Sequence, residues 1–244
     1  LGRTIGQVRV FHPSLARTLS ASVLKRLRGQ RIVEVTRRAK MQLLTLDDGQ
    51  VIEVHFRMTG DWVIGRESDA APAYERLRIT GTDGTRVALT DSRALAVVRV
   101  HTPGQLRLPR LGPEPLEAAF TAEVFADALA KRRGPIKPVL LDQSVVAGIG
   151  NIYAAEALWH ARIHPSRRAS SLSQPRVTAL RDAVRDVLNA AIGDRYYARD
   201  TTADANDRWH VYDREGQPCT RCASTIRRIA QAGRSTYYCG GCQR

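Results

Sequence analysis

All four cysteines of this 244-residue chain fall in its last 26 residues, as Cys219-x2-Cys222-x16-Cys239-x2-Cys242. Each Cys-x2-Cys pair puts two thiolates on one tight turn, at the bite a tetrahedral Zn²⁺ requires. The spacing is that of a zinc ribbon, with one structural Zn²⁺ on Cys219, Cys222, Cys239 and Cys242. Two disulfides or an iron–sulfur cluster are the alternatives. Residues 1–218 carry no cysteine, which argues against a disulfide-stabilised secreted fold. Residues 219–244 also hold five arginines (Arg221, Arg227, Arg228, Arg234 and Arg244) and no acid. Their charge exceeds that of a four-thiolate zinc centre, so the ribbon is suited to gripping a phosphate backbone. A purely structural zinc clip is the plainer alternative.

The whole chain shares this bias. Lys and Arg total 38 against 24 Asp and Glu, a formal net charge of +14. A surplus of that size predicts a polyanionic partner, most simply nucleic acid or an anionic membrane surface. A solvated basic surface is the bland alternative. The 43% hydrophobic share suffices for packed cores, and 25% charged residues argues against wholesale disorder. No apolar run reaches the roughly eighteen residues of a membrane span. No signal peptide or transit sequence is recognised at the start of these residues, and a reducing, cytoplasmic setting is expected.

The front of the chain reads mostly as strands. Residues 31–36, 43–46, 51–56, 77–80, 87–90 and 97–100 alternate or run apolar. Asp48-Gly49 and Asp83-Gly84 separate two such pairs and predict hairpins with type I′ turns, in which both central residues have positive φ. Residues 14–28 space Leu15, Leu19, Val23, Leu24 and Leu27 helically, and Gly29 stops that helix. The expectation is a β-sandwich or barrel with a helix against it. Residues 108–116 contain Pro109, Pro113 and Pro115, the mark of an interdomain linker. Beyond it the period turns helical. Thr121 caps a helix ending at Gly134, and residues 151–161 and 173–192 form two more. The division expected is 1–107 sandwich, 108–120 linker, 121–212 helical domain and 213–244 ribbon.

Gly148-Ile149-Gly150-Asn151 reads as a glycine-permitted turn feeding a helix N-terminus. Backbone N–H groups there, with the Asn151 amide, make an anion site for a phosphate. An ordinary capped helix is the alternative. A dinucleotide motif fails, because Tyr153 stands at the third glycine's place and no βαβ unit surrounds it.

Residues 144–158, Ser-Val-Val-Ala-Gly-Ile-Gly-Asn-Ile-Tyr-Ala-Ala-Glu-Ala-Leu, followed by Ile163-His164-Pro165, resemble the helix–two-turn–helix signature of the formamidopyrimidine-DNA glycosylase / endonuclease VIII family. Leu111-Gly112-Pro113-Glu114-Pro115-Leu116 resembles that family's linker. Arg37-Arg38-Ala39-Lys40, Phe56-Arg57-Met58-Thr59-Gly60, Thr90-Asp91-Ser92-Arg93 and the closing ribbon also fall in the family's order. The resemblance covers essentially the whole chain. It implies an α+β multidomain fold: an N-terminal β-sandwich, a helical helix–two-turn–helix domain and a C-terminal zinc ribbon.

The resemblance also implies base-excision repair. Such enzymes extrude a damaged base, cut its glycosidic bond through a Schiff base and cleave the strand by β,δ-elimination. By position, Lys40, His55, Asn151 and Arg234 would hold phosphates flanking the flipped nucleotide, with Lys40 at the abasic site. Lys137 would make a further phosphate or lesion contact, and Glu156 would brace the Asn151 loop. Taken singly, these could equally be a solvated hairpin lysine, a satisfied strand histidine, a cap asparagine and a surface arginine. Met58, Arg93 and Leu95 match the family's wedge, which fills the hole left by the flipped base; Met58 and Leu95 as loop or core hydrophobes are the alternative. Separate Met and Arg positions favour the formamidopyrimidine branch, although Leu95 stands where that branch has an aromatic.

Two departures bear on the chemistry. Ile192-Gly193-Asp194-Arg195-Tyr196-Tyr197 replaces the branch's Gly-Gly-Thr-Thr type loop, which puts 8-oxoguanine preference in doubt. The family's Pro-Glu-Leu-Pro-Glu start, with the Pro amine as nucleophile and the next Glu as acid/base, is absent. Leu1-Gly2-Arg3-Thr4-Ile5 matches a point just after the family's first helix. Residue 1 is not Met, so these residues are expected to begin inside a longer translation product. As written, they are expected to bind abasic or lesion DNA yet form little covalent adduct. The expectation is a DNA glycosylase and AP lyase, monomeric, acting on double-stranded DNA with damaged bases or abasic sites. No membrane is involved, and the setting is the bacterial cytoplasm, at the nucleoid. A catalytically inactive relative that binds damaged DNA is one rival. A zinc-ribbon transcription or RNA-binding factor is another, but it leaves the wedge and the helix–two-turn–helix signature unexplained.

Overall fold

A computed structural model describes residues 1–193 and 209–244. The chain divides into two compact units, Leu1–Pro109 and Arg110–Arg244. The first holds β1 (Ile5–Val10), α1 (Pro13–Ala16), α2 (Ala21–Leu27), β2 (Ile32–Arg38), β3 (Met41–Leu46), β4 (Val51–His55), β5 (Gly60–Arg66), β6 (Glu75–Gly81), β7 (Thr85–Asp91) and β8 (Val97–His101). One antiparallel sheet runs β1-β6-β7-β5 and the other β2-β3-β4-β8. Leu44, Ile52 and Val54 from one sheet and Ile5, Leu77 and Leu89 from the other share a single buried core. Each such side chain contributes about 1.5–3 kcal/mol by leaving water. This is the expected β-sandwich.

The expected single helix over residues 14–28 is instead the pair α1 and α2. The polar residues between them satisfy the backbone locally, which competes with a continuous helix. Thr18 donates its hydroxyl to the Leu15 carbonyl at 3.2 Å, besides reaching the distant Val98 carbonyl at 2.7 Å, and the Ser20 side chain caps α2. Leu15, Leu19 and Leu27 still reach the core. Both Asp-Gly hairpins form, but not as type I′ turns. Only Gly49 and Gly84 have positive φ. The Asp48 and Asp83 carboxylates accept the N–H groups of Gln50 and Thr85 at 3.0 Å, which favours a longer loop with one left-handed glycine. Strand β5 escapes the pattern reading because Gly60, Asp61 and Gly65 interrupt its apolar residues.

The second unit holds α3 (Ala122–Ala130), α4 (Ile136–Leu141), α5 (Asn151–His160), α6 (Gln174–Gly193), β9 (Ile226–Gln231) and β10 (Arg234–Cys239). Thr121 caps α3 as expected, accepting the Val124 N–H at 3.2 Å. The helix ends at Ala130 rather than Gly134, because a helix continued through Pro135 would lose the bond to the Lys131 carbonyl and clash with it; Pro135 instead starts α4. Phe125, Leu140, Ile149, Leu158, Leu180 and Val184 form the helical core. Ala155 and Trp159 of α5 pack against Val211, Cys219, Ile226 and Cys239, so the ribbon rests on the helix–two-turn–helix segment. The Gly112 N–H donates to the Gln143 carbonyl at 2.8 Å, and a Cβ at Gly112 would lie 2.5 Å from the Val145 carbonyl oxygen. Only glycine admits that approach. No helix among the described residues is long and apolar enough to cross a membrane. Asp194 to Tyr197, part of the loop whose sequence departs from the Gly-Gly-Thr-Thr type, lie outside the described residues.

Candidate functional site

Met58 lies between β4 and β5, and Arg93 and Leu95 lie between β7 and β8. Met58 is 71% exposed and Leu95 44% exposed, so neither is a core residue. The two loops leave the same end of one sheet, where Gly60 pairs with Asp91. Asp91 is buried and accepts from both loops. Its Oδ1 takes the Thr59 hydroxyl and, at 3.2 Å, the Arg93 N–H; its Oδ2 takes the Leu95 and Ala96 N–H groups at 2.6 and 2.7 Å. Burial pushes the Asp91 carboxyl up, but these donors outweigh it and hold the group below the usual carboxylate range.

Lys40 sits exposed in the turn joining β2 and β3, beside Ala39, whose φ is 52°. His55 closes β4 opposite Met41. The Arg57 N–H donates to His55 Nδ1 at 3.0 Å, which leaves Nε2 as the protonated ring nitrogen. Burial, then the charges of Arg57 and Lys40, lower the His55 pKa, so the ring is neutral at pH 7 and offers one N–H. Lys40 and His55 therefore share one end of their sheet.

Lys137, Asn151 and Arg234 meet in the second unit. Lys137 is fully buried, and its Nζ donates to Asn151 Oδ1 at 2.6 Å, the Ser235 carbonyl at 2.9 Å and Thr236 Oγ1 at 2.7 Å. Its three protons are thus spent on the protein. Asn151 Nδ2 donates to the same Ser235 carbonyl at 3.0 Å, which fixes the amide's orientation and leaves its second N–H to serve an acceptor. Asn151 is the first residue of α5, whose N-cap Gly150 brings no side chain to its amides. Arg234 opens β10 after a two-residue turn in which Ala232 and Gly233 both have positive φ, 48° and 71°. The type I′ geometry expected at the Asp-Gly pairs occurs here instead. Burial and the Arg234 charge lower Lys137 to about 8.

Glu156 does not brace the Asn151 loop. Its carboxylate is buried and accepts the N–H groups of His210, Val211 and Tyr212 at 2.9–3.0 Å, anchoring the segment that enters the ribbon. Nothing in the local sequence of α5 signals a partner 54 residues away.

The four cysteine Sγ atoms lie within 4.8 Å of one another, and none is in a disulfide. Cys219 to Cys242 is 3.8 Å and Cys222 to Cys239 is 3.4 Å. A tetrahedron of bonds about 2.3 Å long would separate the sulfurs by about 3.8 Å. Trp159 Nε1 and the Arg221 N–H both donate to Cys219 Sγ at 3.4 Å, as outer partners of a metal thiolate do. The residues present fit one structural Zn²⁺.

Three family profiles match the chain in order. The formamidopyrimidine-DNA glycosylase N-terminal domain covers residues 1–98, the formamidopyrimidine-DNA glycosylase H2TH domain 111–201, and the zinc finger found in FPG and IleRS 216–244. The chain is 39% identical to the formamidopyrimidine-DNA glycosylase of Chloroflexus aurantiacus, across 99% of this chain and 91% of that protein. It belongs to the formamidopyrimidine-DNA glycosylase family. A second family member, from Paracoccus denitrificans, is 38% identical across 99% of this chain and 93% of its own length. Among solved structures of the family, the chain is similar to Lactococcus lactis Fpg in complex with an abasic site containing DNA, with a TM-score of 0.89 and 28% identity. It is also similar to MutM in complex with carbocyclic 8-oxo-G containing DNA, with a TM-score of 0.89 and 30% identity. Both matches cover 100% of this chain and 93% of the other. Family membership and the zinc-finger match assign the four-cysteine cluster as a structural zinc site.

Proposed function

We propose that this chain is a base-excision-repair DNA glycosylase with AP-lyase activity, acting on duplex DNA that contains oxidised bases or abasic sites. The observation that carries this reading is the pair of cross-tied loops presenting Met58, Arg93 and Leu95 from one sheet end. A duplex that loses a base from its stack needs a filler of that size and an Arg for the orphaned partner. Lys40 and the neutral His55 N–H would hold phosphate from the sandwich. In the second unit, the Asn151 amide, the positive end of α5 and Arg234 would hold phosphates of their own. Lys137 takes part through Asn151, since its own protons are already engaged. In this reading residues 1–107 form the catalytic sandwich, 108–120 the linker, 121–212 the helix–two-turn–helix domain and 213–244 the ribbon. The protein works as a monomer in the bacterial cytoplasm, at the nucleoid.

The chemistry is displacement at the sugar. An unprotonated amine attacks C1′ and loses its proton as the glycosidic bond breaks and the base leaves protonated; the C1′–O4′ bond then opens, O4′ leaving as a hydroxyl, to give the iminium from which the flanking phosphates are eliminated. An α-amine, with a reference pKa of about 8, has far more free base at neutral pH than a lysine near 10.4. This reading gives the attack to an α-amine and leaves Lys40 to hold phosphate. The test is borohydride trapping on abasic-site duplex. The protein should bind this duplex and be trapped as a covalent adduct, and Lys40→Ala should weaken binding while the trapped adduct persists. Trapping abolished by Lys40→Ala at saturating duplex would make a lysine the nucleophile. Binding without trapping or cleavage would identify an inactive relative.

A further inference from the structure

Beyond the residues that would touch DNA, we infer that Asp91 is a positioning residue: its buried carboxylate, bridged by Thr59, locks the Met58 loop to the Arg93–Leu95 loop so that the three side chains enter a duplex as one body. The inference rests on the wedge reading above. Its basis is that one carboxylate serves two separate stretches of chain. Thr59, next to Met58, donates its hydroxyl to Asp91 Oδ1 and is within 3.4 Å of the Arg93 N–H. Arg93, Leu95 and Ala96 give their N–H groups to the same carboxylate. Asp91 is 1% exposed, so these bonds work out of water, where each is strongest.

Neither loop would hold its shape unaided. Arg57 and Ala94 have φ values of 58° and 51°, a left-handed backbone that side-chain-bearing residues avoid. Such a conformation persists only where its surroundings over-determine it. Gly60, at the close of the first loop, admits no side chain, because a Cβ would lie 2.5 Å from the Phe56 carbonyl oxygen. The clamp therefore sits where both loops leave the sheet, and the exposed Met58 and Leu95 lie just beyond it. A wedge that must displace a stacked base gains from rigidity, since a loose loop would lose conformational entropy on insertion. An amide cannot replace the carboxylate: both oxygens of Asp91 face donors, so either orientation of Asn would set an NH₂ against an N–H or O–H.

The test uses the full chain, a duplex with a tetrahydrofuran abasic analogue, and 2-aminopurine opposite the gap to report insertion by stopped-flow fluorescence. Asp91→Asn and Thr59→Val should each slow the insertion phase about tenfold, the scale of one lost buried hydrogen bond. The double variant should be no slower than the slower single one, because both act on one link. Thr59→Ser should keep the wild-type rate, and affinity for undamaged duplex should be unchanged in all. Met58→Ala and Arg93→Ala report on the wedge itself: if they leave the insertion phase untouched, the wedge reading fails. If they slow it while Asp91→Asn and Thr59→Val do not, or if those two effects add, the clamp is wrong and the wedge stands. Should Asp91→Asn not fold, Thr59→Val and Thr59→Ser decide alone.

Discussion

Lys137 Nζ lies 2.6 Å from Asn151 Oδ1, and both residues bond the same Ser235 carbonyl on the ribbon. A buried ammonium thus sets the orientation of an amide at a helix N-terminus and ties α4 and α5 to β10.

The first prediction follows from its ionisation. Burial and the Arg234 charge place Lys137 at about 8 in the folded chain, against about 10.4 for an unfolded lysine. Between those values the unfolded chain binds more protons, so this group makes stability rise with pH from about 8 to about 10.4 and adds no slope below about 8. The stability difference between wild type and Lys137→Met should therefore shift in favour of wild type over that window. Urea melts at pH 7, 8.5 and 9.5 measure it, and a constant difference would refute the assignment.

Affinity for abasic-site duplex should move the other way. Neutral Lys137 has two protons for three acceptors, so the Asn151 amide loosens as pH passes about 8. Fluorescence anisotropy should show wild-type affinity falling by several-fold between pH 7 and 9 beyond any fall in Lys137→Met, on the order of 1 kcal/mol for one hydrogen bond. Parallel curves would remove Lys137 from the binding site.

Metal analysis should return one Zn²⁺ per chain. Chelation should unfold the ribbon, whose core is shared with Trp159 and Val211, and with it displace Arg234 and Ser235. Loss of DNA affinity should accompany zinc release measured with a colorimetric chelator. A chain that contains iron, or that keeps its affinity without zinc, contradicts this.

Arg93 and Arg234 should separate two kinds of binding. Arg93→Ala should weaken discrimination for a lesion more than plain duplex binding. Arg234→Ala should weaken binding to every duplex and lower the salt slope by about one. Titrations at several salt concentrations, on lesion-bearing and undamaged duplexes, decide it. Equal effects of the two changes on both duplexes would reject the division.

Ala232 holds a φ of 48° beside Gly233 at the ribbon tip. Asn tolerates that conformation better, and Asn-Gly is the preferred type I′ pair. Ala232→Asn should therefore stabilise the ribbon by about 1 kcal/mol, read as slower zinc release, with Arg234 still in register opposite Gln231. Faster release would show that the turn is not strained.

What the sequence determined by itself is what short-range physics can encode. The two Cys-x2-Cys turns, the Thr121 cap, the Asp-Gly hairpins and the apolar face of α6 each need only neighbours a few residues apart. Their order along the chain carried the family as well. The tertiary structure decided the rest. Lys137 reaches Ser235 across 98 residues and Glu156 reaches Tyr212 across 56, separations that leave no periodic mark. Asp91 sits in a motif that draws the eye to Arg93, yet its partner Thr59 is 32 residues earlier, in the loop that precedes β5. Turn type was settled in the same way: Asp48 and Asp83 bond the backbone ahead of them and select a longer loop, while pairing of β9 with β10 holds Ala232 left-handed. A buried charge acquires its meaning from whatever donors and acceptors folding brings around it, and those come from anywhere in the chain.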